Sequence, residues 1–526
     1  MLDLSGAIER VRGIGEEPPA TRLFARVGVV RAHLAARAAI ALVAAGFALA
    51  LFLRLWQIDT IGYNSDEAVY AGQAAALAND AGLKPFFPVF RAHPLLFQTI
   101  LSVPFHFGVS DLVGRLLAAL FGLGTIVLAY KLGALLYGRR AGVIAALILG
   151  LMPYDVLVSR QVLLDGPMTF FATLTLYLLA LFATTRRPAW LYAAGGMMGL
   201  TVLGKETSIL VVGATYAFFA LAPEVHARLR DLACAAVIMV LTIAPYPLAL
   251  KLAGNGRTGE QYLAWQLFRR PNHEWTFYPA TVPLAIGPLV VVAAAIGIWF
   301  VRRELTWRET LLLSWIAVPA LFFQLWPVKG YQYLLPTAPA FAVLAARTLA
   351  WRVEGRPRLA WAASAAAAVV ALSLAFATWQ RVERPAAGQL LAGAGGVAGG
   401  RELGHWIAGN VPEGAVFLTV GPSMANLVQF YGRRKAYGVS VGTNPLRRNP
   451  AYDPIPNPDR AIRASELQYL VWDVYSAARS PFFANKLLRY ARRYHGRVVH
   501  TESITVTKSD GRRAQRPLAV VYEVRP

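Results

Sequence analysis

Long runs of apolar residues, each about 20 residues in length, occupy most of this chain. A helical run of this length covers about 30 Å of bilayer hydrocarbon, because each helical residue adds 1.5 Å. We therefore predict a polytopic α-helical membrane protein with about 11 spans. Their approximate ranges are 36–57, 111–137, 141–158, 167–184, 189–204, 206–222, 231–251, 282–301, 309–326, 333–350 and 358–379.

The segment 93–108 is apolar but short, and it contains Pro104 and His106. Short apolar runs are more often interfacial or re-entrant than spanning. Counting this segment as a span would also reverse the side on which every later loop lies. We therefore predict that it lies at the outer membrane surface.

Composition excludes several other classes of protein. Hydrophobic residues make up 56% of the 526 residues and charged residues 15%, against about 25% charged residues in a soluble globular chain. This excludes a soluble enzyme, a disordered protein and a coiled coil. The chain has a single cysteine, Cys234, which lies in an apolar run. Because a disulfide needs two cysteines, the chain cannot form an intrachain disulfide.

Basic residues predict the orientation in the membrane. The 52 Lys and Arg residues exceed the 29 Asp and Glu residues, giving a net charge of +23. In a membrane protein this excess indicates cytoplasmic loops rather than a nucleic-acid partner. We expect residues 1–35 to be cytoplasmic, without a cleaved signal peptide, which places loops 58–110, 158–167 and 252–281 outside. The alternate, cytoplasmic connections are all basic: Arg139–Arg140, Arg186–Arg187, Arg228–Arg230, Arg302–Arg303 and Arg352–Arg358.

A change in composition after residue 380 predicts a second domain. A Gly/Ala-rich linker at about 386–400 leads into a polar stretch, in which strand and helix patterns alternate as in α/β domains. We predict a transmembrane domain over 36–380 and an extracytoplasmic α/β domain over 386–526. The predicted strands are 414–420, 467–474, 496–507 and 517–524, and the predicted helices between them are 401–409 and 481–494.

Two of the predicted outer loops carry acidic residues next to span ends. Asn64, Asp66 and Glu67 have the spacing of a helix capping box, and Asp165 precedes Pro167 as at a helix start. These local roles are one interpretation. The other is that carboxylates at the membrane surface accept a proton from an incoming hydroxyl or bind a metal.

Cations and tyrosines accumulate on the same predicted side. Interfacial snorkelling explains such residues one by one. Because outer lysines and arginines are the minority in membrane proteins, a phosphate site, most simply for a lipid phosphate, is the alternative. The residues concerned are His93, Lys205, Arg269, Arg270, His273, Lys329, Tyr331 and Tyr333.

The order and spacing of these motifs resemble one superfamily. The motifs are Asp66–Glu67, His93–Pro94, Arg115, Ser159–Arg160 with Asp165, Gly204–Lys205, and Lys329 with Tyr331, Tyr333 and Pro336. Over about 36–350 this set is similar to the protein O-mannosyltransferase and aminoarabinose transferase superfamily of GT-C glycosyltransferases. The resemblance implies a GT-C transmembrane fold, and an extracytoplasmic C-terminal domain is similar to that of bacterial members.

The resemblance also implies a reaction. A polyprenyl-phosphate donor gives its sugar to a hydroxyl of a protein, lipid or glycan, with inversion, at the outer face of the inner or plasma membrane. Asp66 matches the catalytic acid and would be the general base, with Glu67 orienting the acceptor or the carboxylate. Asp165 matches an acid that binds a metal or acceptor in relatives, so Asp66 and Asp165 could hold a divalent metal ion. The implied lipid-phosphate ligands are His93, Lys205, Arg270, His273, Lys329, Tyr331 and Tyr333.

Two other classes compete with an enzyme. A transporter or flippase for polyprenyl-phosphate-linked lipids explains the spans and the outer cations, but it predicts ionisable residues at mid-membrane and repeated halves. The acids here lie at span ends, and no repeat is visible. A sensor needs far fewer spans. The sequence therefore favours a glycosyltransferase.

Overall fold

A computed structural model describes Arg37 and residues 40–526, apart from 256–260, 263, 267, 352–356, 388–391, 394, 445–447 and 508–511. The predicted cytoplasmic segment 1–35 lies outside the described residues. The chain divides into two compact units, Met1–Leu49 and Ala50–Pro526.

Helices dominate the structure up to residue 382. One apolar helix covers Ile40–Leu55. The next helices are Ser65–Leu77, Leu96–Phe105, Asp111–Tyr137, Arg139–Leu151, Pro153–Ser159, Asp165–Thr185, Pro188–Gly204, Leu210–Leu221, Leu229–Ile243, Pro245–Leu252, Phe277–Ile286, Pro288–Val301, Trp307–Leu325, Ala338–Leu349 and Pro357–Val382, with 3-10 turns at Glu206–Ile209 and Tyr331–Thr337.

Each predicted span coincides with one helix or with two consecutive helices. By length and hydropathy, four described helices can cross a membrane, and two bent pairs bring the number to six. The four are Asp111–Tyr137, Asp165–Thr185, Leu229–Leu252 and Trp361–Val382. These apolar helices support a multi-pass membrane protein, while the count of about 11 spans stays a prediction.

The two bent pairs have identifiable causes. Pro153 follows the extended residue Met152, and the helices on either side are bent by 58°. Gly287 has φ +102° and precedes Pro288, and this pair is bent by 94°. Proline lacks the N–H that continues a helix, and glycine adopts positive φ without strain. Broken backbone of this kind is tolerated at membrane depth where it is buried in protein or lines a cavity.

The doubtful segment 93–108 forms the helix Leu96–Phe105, which has 10 residues. At 1.5 Å per residue it is about 15 Å long, half of what a span needs. Val103 is 63% exposed and Phe107 92% exposed. The length agrees with a helix that does not span, and its place at the membrane surface stays a prediction.

A five-stranded sheet follows the helical part. Strands β1 (Val416–Thr419), β2 (Lys435–Gly438), β3 (Tyr469–Asp473), β4 (Arg497–Thr507) and β5 (Arg513–Glu523) lie in the order β2-β1-β3-β5-β4. The β1 strand pairs in parallel with β2 and β3, whereas β5 pairs antiparallel with β3 and β4. The accompanying helices are Gly400–Asn410, Pro422–Phe430, Pro458–Arg463, Val474–Arg479 and Pro481–Arg493.

The strand pattern confirms most of the sequence prediction for this region. All four predicted strands are present, and β2 was missed because its sequence, Lys-Ala-Tyr-Gly, lacks the apolar run that marks β1, a strand of equal length. The predicted helices 401–409 and 481–494 are present within a residue at each end. A buried cluster that includes Leu418, Leu470 and Leu487 packs the sheet against its helices.

The sheet region is anchored to the first long loop. Asn426 Nδ2 donates a hydrogen bond to Ser65 Oγ at 2.9 Å. The backbone N–H of Tyr63 donates to the hydroxyl of Tyr431 at 2.7 Å, and that hydroxyl donates to Asp111. Residues 50–526 therefore form one compact unit, and a domain boundary at 386 stays a prediction.

Candidate active site

A cavity of about 1070 Å³ joins the helical part to the sheet region. Its wall carries many cations and tyrosines beside a smaller number of acids. The lining residues include Asp66, Tyr70, Arg91–His93, Lys205–Thr207, Tyr262, Trp265, Arg269, His273, Phe277, Leu284, Val328–Tyr333, Arg381, Arg448, Tyr452 and Arg479.

Asp66 lies half-buried on the cavity wall, in the first turn of the helix Ser65–Leu77. Asn64 caps this helix, since its Oδ1 accepts hydrogen bonds from the N–H groups of Asp66 and Glu67 at 2.9 and 3.0 Å. The predicted capping box is confirmed. The positive end of the helix dipole favours an ionised carboxylate here. The cap thus holds Asp66 at the cavity. A helix-capping role for this motif is therefore compatible with a chemical role for the Asp66 carboxylate.

Glu67 occupies a different environment and is fully buried. Its carboxylate accepts hydrogen bonds at 3.0 Å from Nε and Nη2 of Arg115, and at 2.9 and 3.0 Å from the backbone N–H groups of Asn64 and Val162. It does not belong to the cavity lining. The predicted role beside the acceptor is therefore corrected: Glu67 is saturated by structural bonds that hold the two loops together.

Asp165 and Lys205 form a second buried pair. Lys205 Nζ lies 2.8 and 3.0 Å from the two oxygens of Asp165, and both residues are at most 5% exposed. Lys205 borders the cavity, but Asp165 does not. Two of the predicted functional residues therefore neutralise each other, because the first turn of Asp165–Thr185 faces the end of Pro188–Gly204.

The geometry does not fit the predicted metal ion. The oxygens of Asp165 are occupied by Lys205. Within the part of the chain that the structure describes, no group of three or more His, Cys, Asp and Glu side chains is placed to hold a metal ion. Asp66 and Asp165 thus lack the ligand set that hard divalent cations require.

His93 lies on the cavity wall in a defined orientation. Its Nδ1 is 2.8 Å from Glu206 Oε2, and its Nε2 is 3.2 Å from the hydroxyl of Tyr262. The rings of Tyr70 and Tyr262 pack edge-on against it. The sequence predicted His93 but not Glu206, whose carboxylate fixes the orientation of the imidazole at the cavity.

Lys329 lines the cavity, yet its ammonium is partly engaged. Nζ donates to the carbonyls of Gln324 and Trp326 at 3.0 Å each. These carbonyls end the helix Trp307–Leu325, where a cation is favourable. Asn272 fixes the backbone of Lys329 through two hydrogen bonds of 2.8 Å. One of the three ammonium donors thus remains for a ligand.

The arginine choice made from sequence is corrected. Arg269 is half-buried on the cavity wall, over the ring of Trp265 at 4.4 Å and bonded to Gln266 Oε1 at 3.1 Å. Arg270 is exposed and does not contribute to the cavity. The adjacent His273 lines the cavity, stacked on Phe277 at 4.1 Å. Burial, together with the charges of Arg479 and Lys329, lowers the pKa of His273.

Both predicted tyrosines border the cavity. The Tyr331 hydroxyl is buried and has no hydrogen-bond partner among the described residues. Tyr333 presents its ring to Lys205, whose Nζ lies 4.6 Å from the ring centroid. Tyr331 therefore offers a hydroxyl donor to a ligand, whereas Tyr333 supports the Asp165–Lys205 pair.

Sequence reasoning missed several charged and polar residues of the wall. Arg91 and Glu206 lie within two residues of predicted ones, so a closer inspection of the same motifs could have found them. Residues of the C-terminal stretch carry no motif that relates them to the membrane part. The missed residues are Arg91, Glu206, Tyr262, Arg381, Arg448, Tyr452 and Arg479.

Comparisons with known proteins place this geometry in a known structural class. Residues 92–248 match the family model described as dolichyl-phosphate-mannose-protein mannosyltransferase. An uncharacterized protein of Aquifex aeolicus (strain VF5) is 25% identical over 306 residues, which are 54% of this chain. The chain matches 60% of the length of that relative.

The fold is similar to that of solved membrane glycosyltransferases. ArnT from Cupriavidus metallidurans is 16% identical, in its apo state and bound to undecaprenyl phosphate, with TM-scores of 0.68 and 0.67 over 92% of this chain and 98% of that one. AglB from Archaeoglobus fulgidus, in complex with an inhibitory peptide and a dolichol-phosphate, is 14% identical. It matches with a TM-score of 0.57 over 91% of this chain and 74% of that one. These are GT-C glycosyltransferases. The predicted resemblance to that superfamily is confirmed, and the chain has the GT-C fold.

Proposed function

We propose that this protein is an integral-membrane, inverting glycosyltransferase. It moves a sugar from a polyprenyl-phosphate donor to a hydroxyl acceptor, a protein, lipid or glycan, at the outer face of the inner or plasma membrane. The observation that carries the proposal is Asp66, an acid on the wall of a large cavity that is bordered by more basic than acidic side chains. The lipid phosphates bound to ArnT and AglB support a donor of the same class.

Asp66 is the general base in this proposal. The acceptor oxygen attacks the anomeric carbon, the bond from that carbon to the phosphate oxygen breaks, and its electron pair leaves with the phosphate. The acceptor proton passes to the Asp66 carboxylate. A carboxylate suits this role because the helix terminus holds it ionised and the acceptor loses its proton as the new bond forms.

The leaving lipid phosphate is bound by Arg269, His93 and Lys329, assisted by His273 and the Tyr331 hydroxyl. The phosphate gains charge as the glycosidic bond breaks, so fixed cations stabilise the transition state more than the ground state. Apolar residues of the same wall, among them Phe277 and Leu284, suit the first isoprene units. Lys205 contributes indirectly, because Asp165 already neutralises it.

The topology predicted from charge belongs to this proposal. The parity of basic loops puts Asp66 and residues 386–526 outside the cytoplasm, with about 11 spans. Reporter fusions after Arg187 and after Arg381 are expected to read inside and outside respectively. The same reading from both fusions would contradict the orientation. No step of the proposed reaction requires a metal ion.

Sugar transfer by the purified protein tests the proposed function. The protein is reconstituted with a panel of polyprenyl-phosphate sugars and membrane extract, with and without chelator, and release of free polyprenyl phosphate is followed. An enzyme breaks the glycosidic bond and releases that lipid. A flippase moves the intact donor across the bilayer without releasing it, and this result would replace the proposal.

A further inference from the structure

Arg91 is a buried cation that the proposed reaction does not use. It is 7% exposed and borders the cavity. Residues of the sheet region hold it, since its Nε donates to the carbonyl of Ala451 at 3.0 Å and its Nη2 contacts Asn426 Oδ1 at 3.4 Å. The ring of Tyr452 lies 5.0 Å from its guanidinium carbon.

The guanidinium of Arg91 forms no direct ion pair with another described residue. Its Nη1 is buried and has no hydrogen-bond partner, and no carboxylate forms an ion pair with Arg91 in the described part of the chain. Burial lowers the pKa of Arg91, and the charges of Tyr452, Asp453 and Asp66 oppose this effect. A buried charge is costly unless it is paired, so an arginine in this state indicates a site for an anionic ligand.

One short segment of the chain, residues 448–452, contacts this guanidinium through Ala451 and Tyr452. Residues 449–452 form a turn, in which Asn449 Oδ1 accepts from the N–H of Ala451 at 2.9 Å. Arg448 begins the segment, is half-buried on the cavity wall, and its Nε has no hydrogen-bond partner among the described residues. Two arginines with donors that have no partner among the described residues, and the Tyr452 ring, thus line one cavity.

We propose that Arg91, with Arg448 and Tyr452, binds a phosphate or carboxylate group of the acceptor. This inference rests on the proposed function and names a chemical class for its second substrate. Forked guanidinium donors match the oxygens of either anion. Arg91, Tyr452 and Asp66 line one cavity, so an acceptor anchored at Arg91 shares that cavity with the proposed base.

The acceptor is favoured over the donor for a structural reason. Arg269, the proposed donor ligand, shares its wall with apolar residues such as Trp265 and Leu284 that suit an isoprenoid chain. Arg91 is instead fixed by polar groups of Asn426 and Ala451 from the sheet region. The two cations therefore belong to surfaces of different character.

The test uses the purified full-length protein, with glycerol 3-phosphate as anionic probe and glycerol as its neutral control. Thermal stabilisation is titrated in the presence of saturating polyprenyl phosphate. We expect glycerol 3-phosphate, but not glycerol, to stabilise the wild type. Arg91→Gln and Arg448→Gln should weaken this binding by about 10- to 100-fold, which corresponds to loss of a hydrogen bond to a charged group. Arg270→Gln, a change at an exposed arginine outside the cavity, should leave it unchanged.

Several outcomes would overturn the inference. One is glycerol 3-phosphate binding that is absent from the wild type, or equal in the wild type and both variants. Another is its complete displacement by polyprenyl phosphate, which would mean a single phosphate site. Displacement by polyprenyl diphosphate but not by the monophosphate would assign Arg91 to the donor. If polyprenyl phosphate itself fails to bind while glycerol 3-phosphate binds through Arg91, the proposed function fails and the anion site stands.

Discussion

Asp66 and Glu67 are neighbours in the sequence, yet they belong to two regions with opposite electrostatic character. Glu67 lies in a buried layer of closed ion pairs, in which Arg115 satisfies its carboxylate. Asp66 lies on the wall of a cavity where cations have unused donors. The same helix cap positions both acids. Two acids of nearly the same chemistry therefore differ in role here because one is enclosed by the fold and the other lines the cavity.

The paired layer contains two further ion pairs, Arg54 with Asp155 and Lys205 with Asp165. Each joins residues that are distant in sequence and thereby ties separate segments of the chain together. Removing one member of a buried pair strands the charge of the other and costs far more than removing an exposed charge. Changes in the paired layer should therefore reduce stability, and changes at the cavity should reduce turnover.

The largest expected effect is on turnover in Asp66→Asn. Loss of a general base costs about 10²–10⁴ in rate. The helix start should survive because Asn64 still caps it, and the lost charge costs about 0.3–1 kcal/mol at a helix terminus. Turnover at saturating donor is measured together with melting. Turnover close to that of the wild type would remove Asp66 from the mechanism.

Glu67→Gln should show the reverse pattern. The substitution leaves the buried Arg115 without its carboxylate, which costs about 3–5 kcal/mol in the free energy of unfolding. The double variant Glu67→Gln/Arg115→Gln should lose less than the sum of the two single variants, because the pair is coupled. Denaturation in detergent provides the measurement. Strictly additive losses would show that the pair is not coupled and that the proposed layer does not act as a unit.

Arg269→Gln and Arg270→Gln form a matched pair at the cavity edge. Losing a donor to the leaving phosphate should lower turnover at saturating donor by about 10²–10³ in Arg269→Gln. The Arg270 variant should behave as the wild type, since Arg270 is exposed outside the cavity. Equal effects in both variants would indicate that the local net charge matters and not a contact with the phosphate.

Asp473 provides a further test, because it is a buried acid that forms no ion pair with any residue that the structure describes. Burial raises its pKa to about 6, although the N–H of Ser476 opposes this shift. Because an unfolded aspartate titrates near about 3.9, the folded protein loses up to about 3 kcal/mol of stability as the pH rises from about 4 to about 6. Asp473→Asn keeps a capping oxygen and removes this loss.

We therefore expect the Asp473→Asn protein to melt higher than the wild type at pH 7.5 and to have no such advantage at pH 4.5. Melting curves at the two pH values give the result. An advantage of equal size at both values would mean that ionisation of Asp473 is not the cause.

Local patterns were sufficient for the elements of the fold. The apolar helices, the helix cap at Asn64 and four of five strands follow from hydropathy, alternation and capping chemistry, which act over a few residues. The misassigned site residues depend on distant partners. Arg115 lies 48 residues from Glu67, and Lys205 lies 40 residues from Asp165.

The sequence was sufficient to indicate a helical membrane protein with a GT-C-like order of motifs, and acids and cations gathered on one predicted side of the membrane. The three-dimensional structure was needed to show which of these charged residues form buried ion pairs and which line the cavity. In the structure, Glu67 and Asp165 each form a buried ion pair. Arg269, and not Arg270, lies on the cavity wall. The guanidinium of Arg91 packs against the ring of Tyr452. The physical reason is that helix and strand patterns arise from neighbours along the chain, whereas the fate of a charge depends on whatever the fold packs within a few ångströms of it.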